Sequence, residues 1–153
     1  MMKTNLVLFC LASGLLAAPA LADVTVKNAW VRATPGAAKV SAGYAVMVNG
    51  GNLDDVLLGV RTPLANMSHL HASAGADGVM RMESVDELLV PAGKEVVLRP
   101  GDYHVMIMGL QKPLKVGDDI PLTFSFKNQG DVTVSARVMP LSASDPNDHL
   151  GHK

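Results

Sequence analysis

The sequence predicts an all-β domain built as an antiparallel sandwich or barrel. Short runs of alternating or β-branched residues recur along the chain. Clusters of Gly, Pro, Asn and Asp punctuate them, and no segment sustains a helical period with caps. Runs of this length and spacing are the pattern of two-layer antiparallel β folds.

VTVKNAWVRA opens the series and TPGAAK breaks it. SAGYAVMVN follows, and NGGNLDD turns the chain into DVLLGVRT, which ends at Pro63. MSHLHAS precedes the loop-like AGADG, and VMRMESV, ELLV, EVVLR and YHVMIMGL come after it, with PAGK and RPGD as turns. KPLKVGDD leads to IPLTFSFKN, and Gln129-Gly130-Asp131 makes a tight turn into VTVSARVMP. Trp30, Tyr44, Phe124 and Phe126, with many Val and Leu residues, are the expected core. The pairs Asp54-Asp55 and Asp118-Asp119 fall in turn-like segments and read as solvated loop charges.

Residues 1–22 read as a cleaved secretory signal. Lys3 precedes the apolar run LVLFCLASGLLAAPA, and Ala20-Leu21-Ala22 supplies small residues before Asp23. Leu8 and Phe9 are too large for a lipoprotein box ahead of Cys10. Removing 22 of 153 residues leaves 131, enough for one domain over 23–140, followed by a flexible tail over 141–153 that carries His149 and His152. That product contains no cysteine, so neither a disulfide nor a thiolate ligand is available to it. Without Lys3 it has 12 basic and 14 acidic residues, which gives no nucleic-acid footprint. No second long apolar stretch follows, so no stable membrane insertion is expected after cleavage, and the expected location is the periplasm.

The chemistry lies in the sulfur and imidazole groups. Alternation places Met67, His69 and His71 on one face of their run, Met80 and Met82 on one face of theirs, and His104, Met106 and Met108 on one face of a third. Three of the five His, and five of the seven Met beyond the signal, fall between residues 67 and 108. A lone Met on a strand is most simply core filler, and a lone His a surface or hydrogen-bonded residue. Their convergence favours a metal site, because a buried imidazole needs partners and exposed Met pairs otherwise serve nothing obvious. Neutral thioethers select Cu(I), whereas zinc prefers thiolate, imidazole or carboxylate. A blue-copper centre would need the missing thiolate.

The spacing resembles that of the PCuAC family of periplasmic copper chaperones, whose motif is His, ten residues, Met, twenty-one residues, then His-x-Met. His71, Met82, His104 and Met106 match it. NAWVRATPG, GVMRM, PAGKEVVLRPG, HVMIMGL and LKVGDDIPLTFSF are similar to family segments, and the likeness runs from about Val24 to Pro140. The resemblance implies a cupredoxin-like β-sandwich, a Greek-key barrel, binding one Cu(I) through those four residues. It also implies delivery to the binuclear copper site of cytochrome c oxidase subunit II alongside a Sco-type thiol protein. Met80 and Met108 are not motif positions and read as supporting residues. His69 is an additional imidazole, either a surface residue or an alternative ligand that supports Cu(II). The tail pair His149 and His152 is a second candidate for Cu(II).

An enzyme is not expected. No Ser-His-Asp set or paired-carboxylate cluster stands out, and two thioethers bias copper toward Cu(I) against redox cycling. Two other readings remain: a periplasmic copper buffer or resistance protein without a dedicated acceptor, and an exported structural domain with a Met-rich core.

Overall fold

A computed structural model describes residues 22–76 and 79–144, except for the side chains of Ala76, Val79 and Met80. The signal-like run, Cys10, the tail histidines His149 and His152, and the side chain of Met80 therefore lie outside the described residues. Those described form strands β1 (Val24–Arg32), β2 (Val40–Asn49), β3 (Asp55–Arg61), β4 (Ala65–Ala76), β5 (Val79–Ser84), β6 (Leu88–Val90), β7 (Glu95–Leu98), β8 (Tyr103–Leu110), β9 (Asp119–Phe126) and β10 (Gly130–Met139). No helix occurs among them. Each run named above becomes a strand. β4 is longer than MSHLHAS suggests, because Ala74, Gly75 and Ala76, expected in a loop, pair with Arg81, Met80 and Val79.

The strand order is β5-β4-β8-β2-β1-β10-β9-β3-β6, with β7 also on β2. Strands from the two halves of this order share one apolar cluster. Leu70, Val105, Ile107 and Val31 join Leu57, Leu122, Phe124 and Val138 in it. Burying a side chain such as Phe124, which is fully enclosed, contributes roughly 1.5–3 kcal/mol. The sheet therefore folds over on itself as a cupredoxin-like sandwich.

Three features correct the sequence reading. β1 and β10 run parallel, with Trp30 level with Arg137, so the sheet is mixed rather than wholly antiparallel. The two strands come from opposite ends of the domain, and no local pattern announces their direction. In β1 a bulge interrupts the register between Lys27 and Trp30, with Asn28 at φ 51°. The extra residue inverts the alternation, so Val24 and Val26 join the core but Trp30 turns to the other face. There it stacks on Tyr44 with ring centroids 4.3 Å apart, and Arg32 lies 5.8 Å from the Tyr44 ring. Trp30 and Tyr44 are both buried, as expected, and pack on each other beside the main apolar cluster.

The third correction concerns Asp55, which is fully buried rather than solvated. Its Oδ1 accepts from the backbone N–H of Val56 at 2.7 Å and of Asn128 at 2.9 Å, and its Oδ2 from Gln129 at 2.8 Å. Burial of the carboxylate is offset by these bonds, which tie the start of β3 to the β9–β10 turn. Asp54 accepts from the N–H of Ala92 at 2.8 Å. Asp119 does remain at the surface, 3.0 Å from Arg137.

Candidate metal centre

The three runs that carry His and Met become neighbours in the sheet. β4 lies between β5 and β8, and β8 leads on to β2. The register sets their side chains on one face, opposite the core residues Leu70, Val105 and Ile107. Across β4 and β8, His71 faces His104, His69 faces Met106, and Met67 faces Met108. Across β4 and β5, Ser73 faces Met82 and His71 faces Ser84.

His71 and His104 are therefore brought together directly. Their ring centroids are 5.9 Å apart at an interplanar angle of 60°. Met106 sits two residues beyond His104 on β8, and Met82 stands diagonally from His71 on β5. The thioethers flank the imidazole pair from opposite ends. Met82 is level with Ser73 and Met106 with His69, and those rows are four residues, about 13 Å of strand, apart. Burial is graded over the face. His104 is only 4% exposed, His71 and Met106 are half-buried, and Met82 is 66% exposed.

The imidazoles are prepared differently. His104 Nδ1 lies 2.9 Å from the backbone carbonyl of Asp102. A carbonyl can only accept, so Nδ1 carries the proton and Nε2 keeps its lone pair for the site. That carbonyl also accepts from the Ser73 N–H at 3.3 Å, which ties the turn to β4 beside His71. The turn is RPGD. Pro100 and Gly101 take its two central positions, and Gly101 has φ +83°, as a type II turn requires at its third residue. The Asp102 N–H donates back to the Arg99 carbonyl at 3.1 Å, and the Asp102 carboxylate accepts from the Tyr103 N–H at 2.9 Å.

His71 Nδ1 is buried and has no hydrogen-bond partner among the described residues. Burial lowers the His71 pKa from its ordinary value, and His104 and His69 push in the same direction. The ring is therefore held neutral, the form that binds metals.

Chemically, the face offers imidazole nitrogen and thioether sulfur. No three His, Cys, Asp or Glu side chains converge among the described residues. Met sulfur is the further donor that this face presents beside the imidazoles, and thioether suits a soft cation better than zinc. The sequence singled out the His and Met residues. It did not reveal the Asp102 carbonyl or Ser73 as supports, because a backbone acceptor carries no residue signature. The RPGD turn was the only local clue.

Comparison with known proteins gives the following. A family model described as LpqE-like matches residues 24–138. The protein Lxx21020 of Leifsonia xyli subsp. xyli (strain CTCB07) is 30% identical over 125 residues, which cover 81% of this chain and 74% of that one. The copper-bound PCuAC domain from PmoF2 superposes with a TM-score of 0.67 at 24% identity, covering 80% of this chain and 97% of that domain, a likeness of fold. The solution structure of CuI-DR1885 from Deinococcus radiodurans superposes with a TM-score of 0.60 at 31% identity, covering 83% of each chain.

Proposed function

This chain belongs to the LpqE-like family, a PCuAC-type protein, and from that premise we propose that it is a copper carrier, not a catalyst, holding Cu(I) through His71, His104, Met106 and Met82. The observation that carries the reading is the facing pair His71 and His104. One ring has its Nδ1 committed to a backbone carbonyl and its Nε2 left free, and the other is a neutral imidazole with an unpartnered buried nitrogen. The copper named in the solved relatives supports the choice of ion.

The arrangement suits capture and release. His104 anchors the ion at the buried end of the face. Met82 reaches it from an exposed position on β5, next to solvent. Neutral ligands are exchanged without removing a thiolate, so incoming donors replace them stepwise. An acceptor rich in thiolate would draw Cu(I) onward, because soft anionic sulfur binds it more strongly than thioether. We place the protein in the periplasm after signal cleavage. The proposed acceptor is the binuclear copper site of cytochrome c oxidase subunit II, with a Sco-type thiol protein acting in the same assembly step.

The test is an anaerobic Cu(I) titration against a chromophoric chelator, run on the protein and on His104→Ala and Met106→Ala. One tightly held Cu(I), weakened in both variants, is expected. Affinity indifferent to both substitutions would return these side chains to plain packing. Mixing the Cu(I)-loaded protein with apo subunit II domain tests delivery, and absence of transfer would leave a buffering role.

A further inference from the structure

We infer that the same face carries a second Cu(I) station, formed by His69, Met67 and Met108 and joined to the first through Met106. The inference rests on the copper reading of the His71–His104 pair and extends it along the sheet.

The register is the basis. His69 faces Met106 and Met67 faces Met108, two directly opposed pairs in successive rows of β4 and β8. Opposed residues in antiparallel strands have Cα atoms about 4.5–5.5 Å apart, and successive rows are separated by about 6.7 Å. One imidazole and three thioethers thus occupy the corners of a small rectangle, each within a side chain's reach of its centre. The quartet contains no charged group and no thiolate, so it selects a soft monovalent ion.

Exposure separates the stations. Met67 is 53% exposed and His69 is also exposed, while Met106 and Met108 are half-buried. Neither Met67 nor His69 is occupied by the core, which takes Leu70 from the same strand. Packing therefore does not account for Met67 and His69. Beyond them, Met108 faces Val40 on β2, which is 48% exposed. Met106 stands between the stations, next to His104 along β8 and opposite His69 across the sheet. A Cu(I) ion at the outer station can keep its bond to Met106 while exchanging His69 for His104. The step replaces one neutral nitrogen donor with another and involves no change of oxidation state. It gives the buried end of the face a route to solvent.

The test is anaerobic titration of the full chain with Cu(I), followed by NMR of Met methyl groups and His rings, with a double variant Met67→Leu/Met108→Leu. Leucine conserves apolar volume, so the sheet should persist. The first equivalent should move the His71 and His104 signals. The second should move His69 and the Met67 and Met108 methyls, and in the double variant its affinity should fall at least about tenfold, roughly 1.4 kcal/mol. The station is overturned if His69, Met67 and Met108 stay still through two equivalents, or if the double variant binds the second equivalent as the parent does. If His71 and His104 do not respond while His69, Met67 and Met108 do, the primary reading fails and the outer station stands.

Discussion

His71 and His104 face each other across β4 and β8 with ring centroids 5.9 Å apart, and the turn that precedes His104 fixes its tautomer through the Asp102 carbonyl. Support from outside the ligand set should therefore matter to metal affinity. Gly101 sits at φ +83°, with nothing within 4 Å of an added Cβ. The Cβ of Gly101→Val would therefore meet no neighbour, but the substitution would strain the backbone by about 1–3 kcal/mol. The expected result is a Cu(I) affinity lowered by about 10–100-fold with all four proposed ligands intact. Chelator competition measures it, and an unchanged affinity would mean the turn does not orient His104.

The methionines should divide by burial. Met82 is 66% exposed, so Met82→Ala should leave unfolding free energy within about 0.5 kcal/mol of the parent while weakening Cu(I) binding. Met47 is fully buried in the apolar cluster, so Met47→Ala should cost about 2–5 kcal/mol and leave the affinity of the folded protein unchanged. Denaturant titration and copper competition on both variants check this double dissociation. Equal behaviour of the two variants would remove the distinction between ligand and filler.

Acid should act through His71. Its folded pKa lies below the ordinary value because of burial and the neighbouring His104 and His69. The unfolded chain therefore binds the proton first. Stability attributable to this ring is intact above about pH 6.5 and is lost as pH falls from there toward the folded value. The apo protein should lose stability over that interval, and His71→Asn should flatten the slope. Denaturant midpoints across the range measure it. A slope identical in the variant would assign the effect elsewhere.

Much of this was legible in the sequence, because strands and turns are local. Alternation in YHVMIMGL and MSHLHAS places side chains correctly, since a strand has a strict period of two. Alternation fails at VTVKNAW, where the bulge around Asn28 inverts the period and sends Trp30 to the face opposite Val24. The parallel seam of β1 and β10 and the adjacency of β5, β4 and β8 depend on pairing between distant segments. Spacing alone therefore put His71 and His104 in one motif but did not show that they pair directly. Nor did it show that Met106 lies level with His69 rather than His71. Asp55 was misread because a carboxylate in a turn-like DD sequence carries no mark of the amides that will surround it.

The buried carboxylate of Asp55 should matter to stability and not to copper binding. Asp55 is itself fully buried and accepts three backbone N–H groups, from Val56, Asn128 and Gln129, in partly buried bonds. The same corner is held by the Lys127 N–H to the Val56 carbonyl at 2.9 Å and by Asn128 Nδ2 to the Asp54 carbonyl at 3.1 Å. In Asp55→Ala the amides lose their acceptor, and each one left away from water costs about 1–3 kcal/mol. The loss should exceed about 3 kcal/mol in total, a large share of a small domain's stability. Asp55→Asn keeps one acceptor oxygen and should fall between the two. Asp55 belongs to β3, outside the β5-β4-β8 group that carries the His and Met face. Cu(I) affinity measured at low temperature, where the variant stays folded, should therefore match the parent. Equilibrium unfolding with copper competition on the same preparations decides it. A stable Asp55→Ala would show that water satisfies these amides, and a shifted affinity would show that the metal face depends on this corner of the sandwich.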